Sequence, residues 1–108
     1  MFVLMDWWQG KPVGEGRSSK WPAVRAAYIQ ANPYCAACGR REKLEVHHIV
    51  PFHVDPELEL VASNLMTLCE GPTNCHFVFG HLGNWRWHNR FVRIDALEFN
   101  QRRAEARN

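Results

Sequence analysis

Apolar and polar positions change period several times along the chain, and each change marks an element. Residues 18–32 follow a helical period: Trp21, Val24, Tyr28 and Ala31 share a face, Ser18 or Ser19 stands where a cap is needed, and Asn32-Pro33 stops the run. Pro22 is tolerated in the first turn, where its missing N–H is no loss. From Leu44 to Val50 the pattern becomes the β-branched, apolar run of a strand, which Pro51 ends. Residues 51–63, with Pro51, Pro56 and mixed acids, are expected to be a connecting loop. Asn64-Leu65-Met66-Thr67-Leu68 predicts a second short strand that delivers Cys69. After a turn at 70–74, Cys75-His76-Phe77-Val78-Phe79 starts a helix capped by Thr73 or Asn74, which Gly80 ends or distorts. Beyond Trp85, the residues Trp87, Phe91, Ile94 and Leu97 recur near helical spacing and predict a second packing face, with a capping-box-like Asp95 to Glu98.

The ends carry no such pattern. Gly10, Pro12, Gly14 and Gly16 punctuate an N-terminal arm over residues 1–17, in which Trp7 and Trp8 are large enough to dock, and residues 100–108 read as a polar tail. What lies between, residues 18–99, is expected to be one domain, in keeping with a chain of 108 residues.

One pair breaks the strand pattern. His47 and His48 are adjacent inside Leu44–Val50, and neighbours on a strand point to opposite faces. They cannot share a job, so they are expected to act as a metal ligand and a general base set side by side at the strand end. His76 and Asn64, with His81 near, complete a constellation suited to metal-assisted hydrolysis, which needs a few protein ligands, open positions and a base.

Composition adds compartment and partner. Thirteen Lys plus Arg against eleven Asp plus Glu leave a charge of only +2, so overall charge names no polyanion. Distribution says more: arginines cluster at 40–41, 86–93 and 102–107, and the guanidinium fork suits phosphate, although solvated helix faces would look alike. No apolar run reaches the roughly 18 residues of a membrane span, and Met1 to Met5 lacks the basic start and the length of a signal segment. A cytoplasmic location is therefore expected, where four cysteines suggest a metal site before disulfides. Cys35-x2-Cys38 followed by Gly39 has the form of a zinc knuckle, and Cys69 with Cys75, at the wider spacing of five intervening residues, supplies the other half of a closed tetrahedral site.

The ordered set Cys35-x2-Cys38, Leu44 to Pro51 with its two histidines, Asn64 to Cys69, and Cys75-His76 resembles the HNH endonuclease family, in particular its zinc-bearing phage members, over residues 20–95. The resemblance implies a small α+β fold, the ββα-metal (treble-clef-like) arrangement of a β-hairpin, flanking helices and a structural zinc. It implies that His47 and His76 hold a catalytic divalent ion (Mg²⁺, Mn²⁺ or another), that His48 is the general base, and that Asn64 braces the loop and orients that base. Some relatives have a third ligand one helical turn after the second; here that position is Gly80. His81, five residues on, is a third ligand only if the helix is distorted, and otherwise structural or a phosphate contact. His53 and His88 match no motif position and are expected on a loop and a helix surface.

DNA is the implied partner, with phosphates held by Arg40, Arg41, Lys43, Arg86 and Arg90, and by Lys20 on the first helix. Phage packaging proteins, terminase and portal, come only with the family likeness, as does a bacterial or phage-infected host cell. The competing reading is a non-catalytic zinc module that binds nucleic acid, which leaves the histidine and asparagine set without a purpose. Thiol redox chemistry at Cys35-x2-Cys38 lacks the βαβ context it needs.

Overall fold

The computed structural model describes residues 17–107, so the expected arm over residues 1–16 lies outside the described residues. Helix α1 spans Trp21–Ala31, strand β1 Leu44–His48, strand β2 Leu65–Cys69 and helix α2 Val92–Arg107. Between β1 and β2 lie two 3-10 turns, Pro56–Leu58 and Ala62–Asn64, and between β2 and α2 a single π-helical turn, His76–Gly80. The fold is α+β and fits the ββα-metal arrangement, with the helix after the hairpin shortened to that one turn. Among the described residues no helix is long and apolar enough to cross a membrane.

The two strands pair antiparallel, with Leu44 opposite Cys69, Val46 opposite Thr67 and His48 opposite Leu65. β2 is buried along its whole length, while β1 is buried only from Val46 to His48. A two-stranded sheet is marginal alone in water, and this one is clamped. The core consists of Cys35, Ala37, Met66, Leu68, Cys69, Cys75, Val92 and Ala96, so three of its eight members are thiols. Apolar burial of that size suits a small domain that leans on a metal clip.

α1 packs over the hairpin by its polar atoms as much as by apolar ones. The Tyr28 hydroxyl donates to the Leu65 carbonyl at 2.9 Å, and Arg25 pairs with Glu45 at 2.9 Å. Ser18 serves the start of the helix, its hydroxyl accepting from the Lys20 amide at 3.1 Å. At the far end the Asn32 amide nitrogens turn back to the carbonyls of Tyr28 and Ile29.

The last helix differs from the sequence expectation. It begins at Val92 rather than near Trp85, and it continues through residues 100–107, the stretch read as a polar tail. Trp85, Trp87, Phe91, Ile94 and Leu97, expected to form a packing face, are 55–65% exposed. Small residues take that place: Val92 and Ala96, four apart, are fully buried, and Asn100 donates to the Ala36 carbonyl at 3.2 Å. A thiol-filled core offers room for valine and alanine but none for a row of large side chains. Asp95 does not restart a helix. Buried Asn89 opens it, accepting from the Phe91 amide through Oδ1 and from the Val92 amide through its carbonyl, while its Nδ2 donates to Asp95 at 2.7 Å.

Candidate active site

Two groups of ligating side chains form on either side of the π-helical turn. In the first, the knuckle turn is closed by the Gly39 amide donating to the Cys35 carbonyl at 2.9 Å and the Cys35 amide to the Arg40 carbonyl at 2.8 Å. Gly39 has φ +81°, a backbone state that disfavours any side chain. The turn brings Cys35 and Cys38 against Cys69, at the end of β2, and Cys75, just before the π turn. All four sulfurs lie within 4.8 Å of one another, and none is in a disulfide. Cys38 and Cys69 sulfurs are 3.7 Å apart; tetrahedral zinc with bonds of about 2.3 Å sets its sulfurs about 3.8 Å apart. A hydrogen bond from the Cys75 thiol lowers the Cys35 thiol below its ordinary value, in the direction a metal-binding thiolate needs. The wide Cys69–Cys75 spacing does not prevent the convergence. The four thiols can hold a metal such as zinc.

The second group is His47, His76 and His81, whose ligating nitrogens also lie within 4.8 Å of one another. Their rings meet edge-on, with centroids 4.9–5.0 Å apart. The π turn is what brings His81 in: its wider turn, closed between residues five apart, sets those residues on one side, where an α-helix would set those three or four apart. Gly80, at the position where some HNH relatives have a third ligand, is filled from outside, because a Cβ there would stand 2.9 Å from the His47 ring. His76 Nδ1 donates to Glu70 Oε2 and His81 Nδ1 to the Trp87 carbonyl, both at 2.8 Å, which leaves Nε2 of each with a free lone pair. His47 is 2% exposed, and its Nε2 is buried with no hydrogen-bond partner among the described residues. Burial pushes it down to about 3, with His76, His81, His48 and His88 adding repulsion. A neutral, unpartnered imidazole between two others is the donor set a divalent cation needs.

His48 points away from this trio, as alternation along a strand requires. Its ring lies 4.5 Å from that of Trp21, and its Nε2 meets the Glu59 carbonyl at 3.0 Å. A carbonyl only accepts, so Nε2 carries the proton and Nδ1 keeps its lone pair. Burial lowers His48 to about 4, helped by the Arg17 guanidinium and opposed by the Glu59 carbonyl. Among the described residues the Asn64 side chain makes no hydrogen bond to His48. Its Oδ1 accepts from the Val50 amide at 2.8 Å, and its Nδ2 donates to the carbonyls of Val50 and Leu58 at 3.1 Å, pinning the loop whose next residue offers its carbonyl to His48.

The segment from Cys35 to Phe77 matches the model of the HNH endonuclease family over residues 35–77. Over these residues the chain is similar to an HNH endonuclease domain. Neither the curated proteins nor the solved structures give a match to the chain. An HNH domain points generally to a nuclease, with DNA as its substrate. The match takes in His47, His48, Asn64, His76 and the four cysteines, and ends before His81, Arg86 and Arg90.

The other basic residues and histidines named in the sequence lie around this segment. Lys20, Arg41, Lys43, Arg86 and Arg90 are exposed, Arg40 is partly covered and paired with Glu42 at 3.2 Å, and Arg41 lies over the Tyr34 ring. Arg86 sits between Trp85, which meets the His76 ring edge-on and the His81 ring at a tilt, and Trp87, whose carbonyl holds His81. His53 is exposed on its loop, as expected, whereas His88 lies in the irregular segment before α2 and near enough to bear on His47 and His81. Sequence reasoning passed over three residues. Glu59, 4% exposed, accepts from the Ser18 amide and stands 4.0 Å from Arg17, itself laid over the Trp21 and Phe52 rings. Glu70, the third, has the one available signal: an acid directly after a cysteine and six residues before a histidine.

Proposed function

We propose that the protein is a metal-dependent DNA endonuclease that hydrolyses phosphodiester bonds, with His48 as general base and one divalent ion held by His47, His76 and His81. The observation that carries this reading is the meeting of three histidine nitrogens beside a fourth histidine whose tautomer is fixed for proton acceptance. Nδ1 of His48 takes the proton from the attacking water, and the Glu59 carbonyl stabilises the imidazolium that results. Asn64 holds the loop that presents this carbonyl, which makes it a positioning residue. When bound, the divalent ion neutralises charge on the scissile phosphate and on the leaving 3′ oxygen. The products are a 5′-phosphate and a 3′-hydroxyl.

The four cysteines take a structural zinc, closed to substrate because all four positions are filled by protein. Arg86 and Arg90 follow the histidine trio in the chain and are proposed to hold flanking phosphates there; Arg40, Arg41 and Lys43 do so around the knuckle. Terminase and portal, which came with the family likeness, take no part in this reading.

Incubation with supercoiled plasmid and Mg²⁺ or Mn²⁺ tests it. Wild type is expected to nick or linearise the plasmid, and His48→Ala to lose about 10²–10⁴-fold in rate while keeping its zinc. Equal cleavage by both proteins would remove His48 from the chemistry.

A further inference from the structure

We infer that Glu70 is a positioning residue for the divalent-ion site: it fixes the His76 imidazole as the Nδ1–H tautomer and aims Nε2 at the ion. The inference rests on the reading of the three histidines as an ion site. Its ground is the 2.8 Å contact between His76 Nδ1 and Glu70 Oε2, at a ring that shares its ligating space with His47 and His81. A ligating imidazole is held by what its other nitrogen donates to, and a carboxylate in that place also raises the basicity of the ligating nitrogen. His81 has the same arrangement with a neutral acceptor, the Trp87 carbonyl. The two outer histidines are thus both locked from behind, and the carboxylate acts on one of them.

The same contact accounts for the wide Cys69–Cys75 spacing. Two intervening residues would satisfy a zinc knuckle. Here Glu70 directly follows Cys69, its amide tied to the Lys43 carbonyl at 2.7 Å, and the chain turns through Gly71 and Asn74 before Cys75. Asn74, at φ +42°, and its amide bond to the Gly71 carbonyl at 2.9 Å fold that turn back. The added length lets residue 70 face residue 76. Because the backbone of Glu70 is held by its own amide and its side chain is 41% exposed, a substitution there removes the carboxylate and leaves the fold standing.

The test uses the full chain loaded with zinc at the cysteines. Mn²⁺ affinity is measured by calorimetry, and the His76 tautomer by ¹⁵N NMR without Mn²⁺, for wild type, Glu70→Ala, Glu70→Gln and His76→Ala. Glu70→Ala is expected to bind Mn²⁺ about 10- to 100-fold more weakly and to lose the fixed tautomer. Glu70→Gln, whose amide oxygen still accepts from Nδ1–H, is expected to keep the tautomer and to bind with intermediate affinity. If wild type takes up no Mn²⁺, or His76→Ala takes up as much as wild type, the ion-site reading falls and this inference with it. If those controls behave and Glu70→Ala matches wild type in affinity and tautomer, the inference alone is overturned.

Discussion

His47 and His48 are chemically identical neighbours made different by what surrounds each ring. His47 gives up its charge because it is buried among other histidines, and His48 because it is buried beneath Trp21 with Arg17 nearby. Each lies below the ordinary histidine value of 6.5, so the unfolded chain takes its protons first as the pH falls. Stability is therefore complete above pH 6.5 and is lost on the way down, through His48 as far as about 4. One such histidine contributes about 1.4 kcal/mol per pH unit inside that window. The urea midpoint of protein free of the catalytic ion is expected to fall between about pH 6.5 and pH 5, above the carboxylate range; a flat midpoint would contradict the burial of these rings. The sequence made the pair legible, because alternation on a strand separates neighbours without any knowledge of the fold. It did not reveal the partners of His48. Glu59 sat among similar acids in a stretch of loop, and only the folded chain shows whose carbonyl and whose guanidinium come to the ring.

At the scale of elements, the π-helical turn His76–Gly80 decides which histidines meet. A regular α-helix would have turned His81 away from His76, and the spacing of five residues in the sequence already required a distortion if His81 was to take part. Gly80 is needed for a different reason from most turn glycines. Its φ is outside the left-handed region, so space is the constraint: the His47 ring lies where a Cβ would be. Gly80→Ala is expected to push that ring aside and to cost about 1–3 kcal/mol in denaturant unfolding. An alanine variant as stable as wild type would show that the ring is not held against this backbone. The helix that follows was the least legible element. Trp85, Phe91, Ile94 and Leu97 repeat convincingly, yet periodicity reports that a face exists without reporting which face is turned inward. The smaller Val92 and Ala96 are the ones against the cysteines.

For the molecule as a whole, the two strands were legible in the β-branched runs, and the α+β class came with the family resemblance that the ordered cysteine and histidine motifs carry. The length of α2 did not follow, since polar residues 100–107 look alike whether helical or not. With so few large side chains buried, the thiols carry much of the cohesion. Cys35→Ser is expected to unfold the domain and release its zinc, seen as loss of far-UV dichroism and of bound metal. Zinc retained by a folded Cys35→Ser protein would remove the cysteines from that role.

Cys75 and His76 are consecutive residues, so the two ligand sets are joined by a single peptide bond, and Glu70, which holds the His76 ring, directly follows Cys69. The dismantling of the protein therefore has a direction. On the proposed reading, a mild chelator is expected to empty the histidine site while the cysteines still hold Cys75 and Cys69 in place, whereas stripping the cysteines is expected to scatter the histidines as well. The proposed ion site is a tenant of the clip, and whatever attacks the thiols, an oxidant included, is expected to evict it.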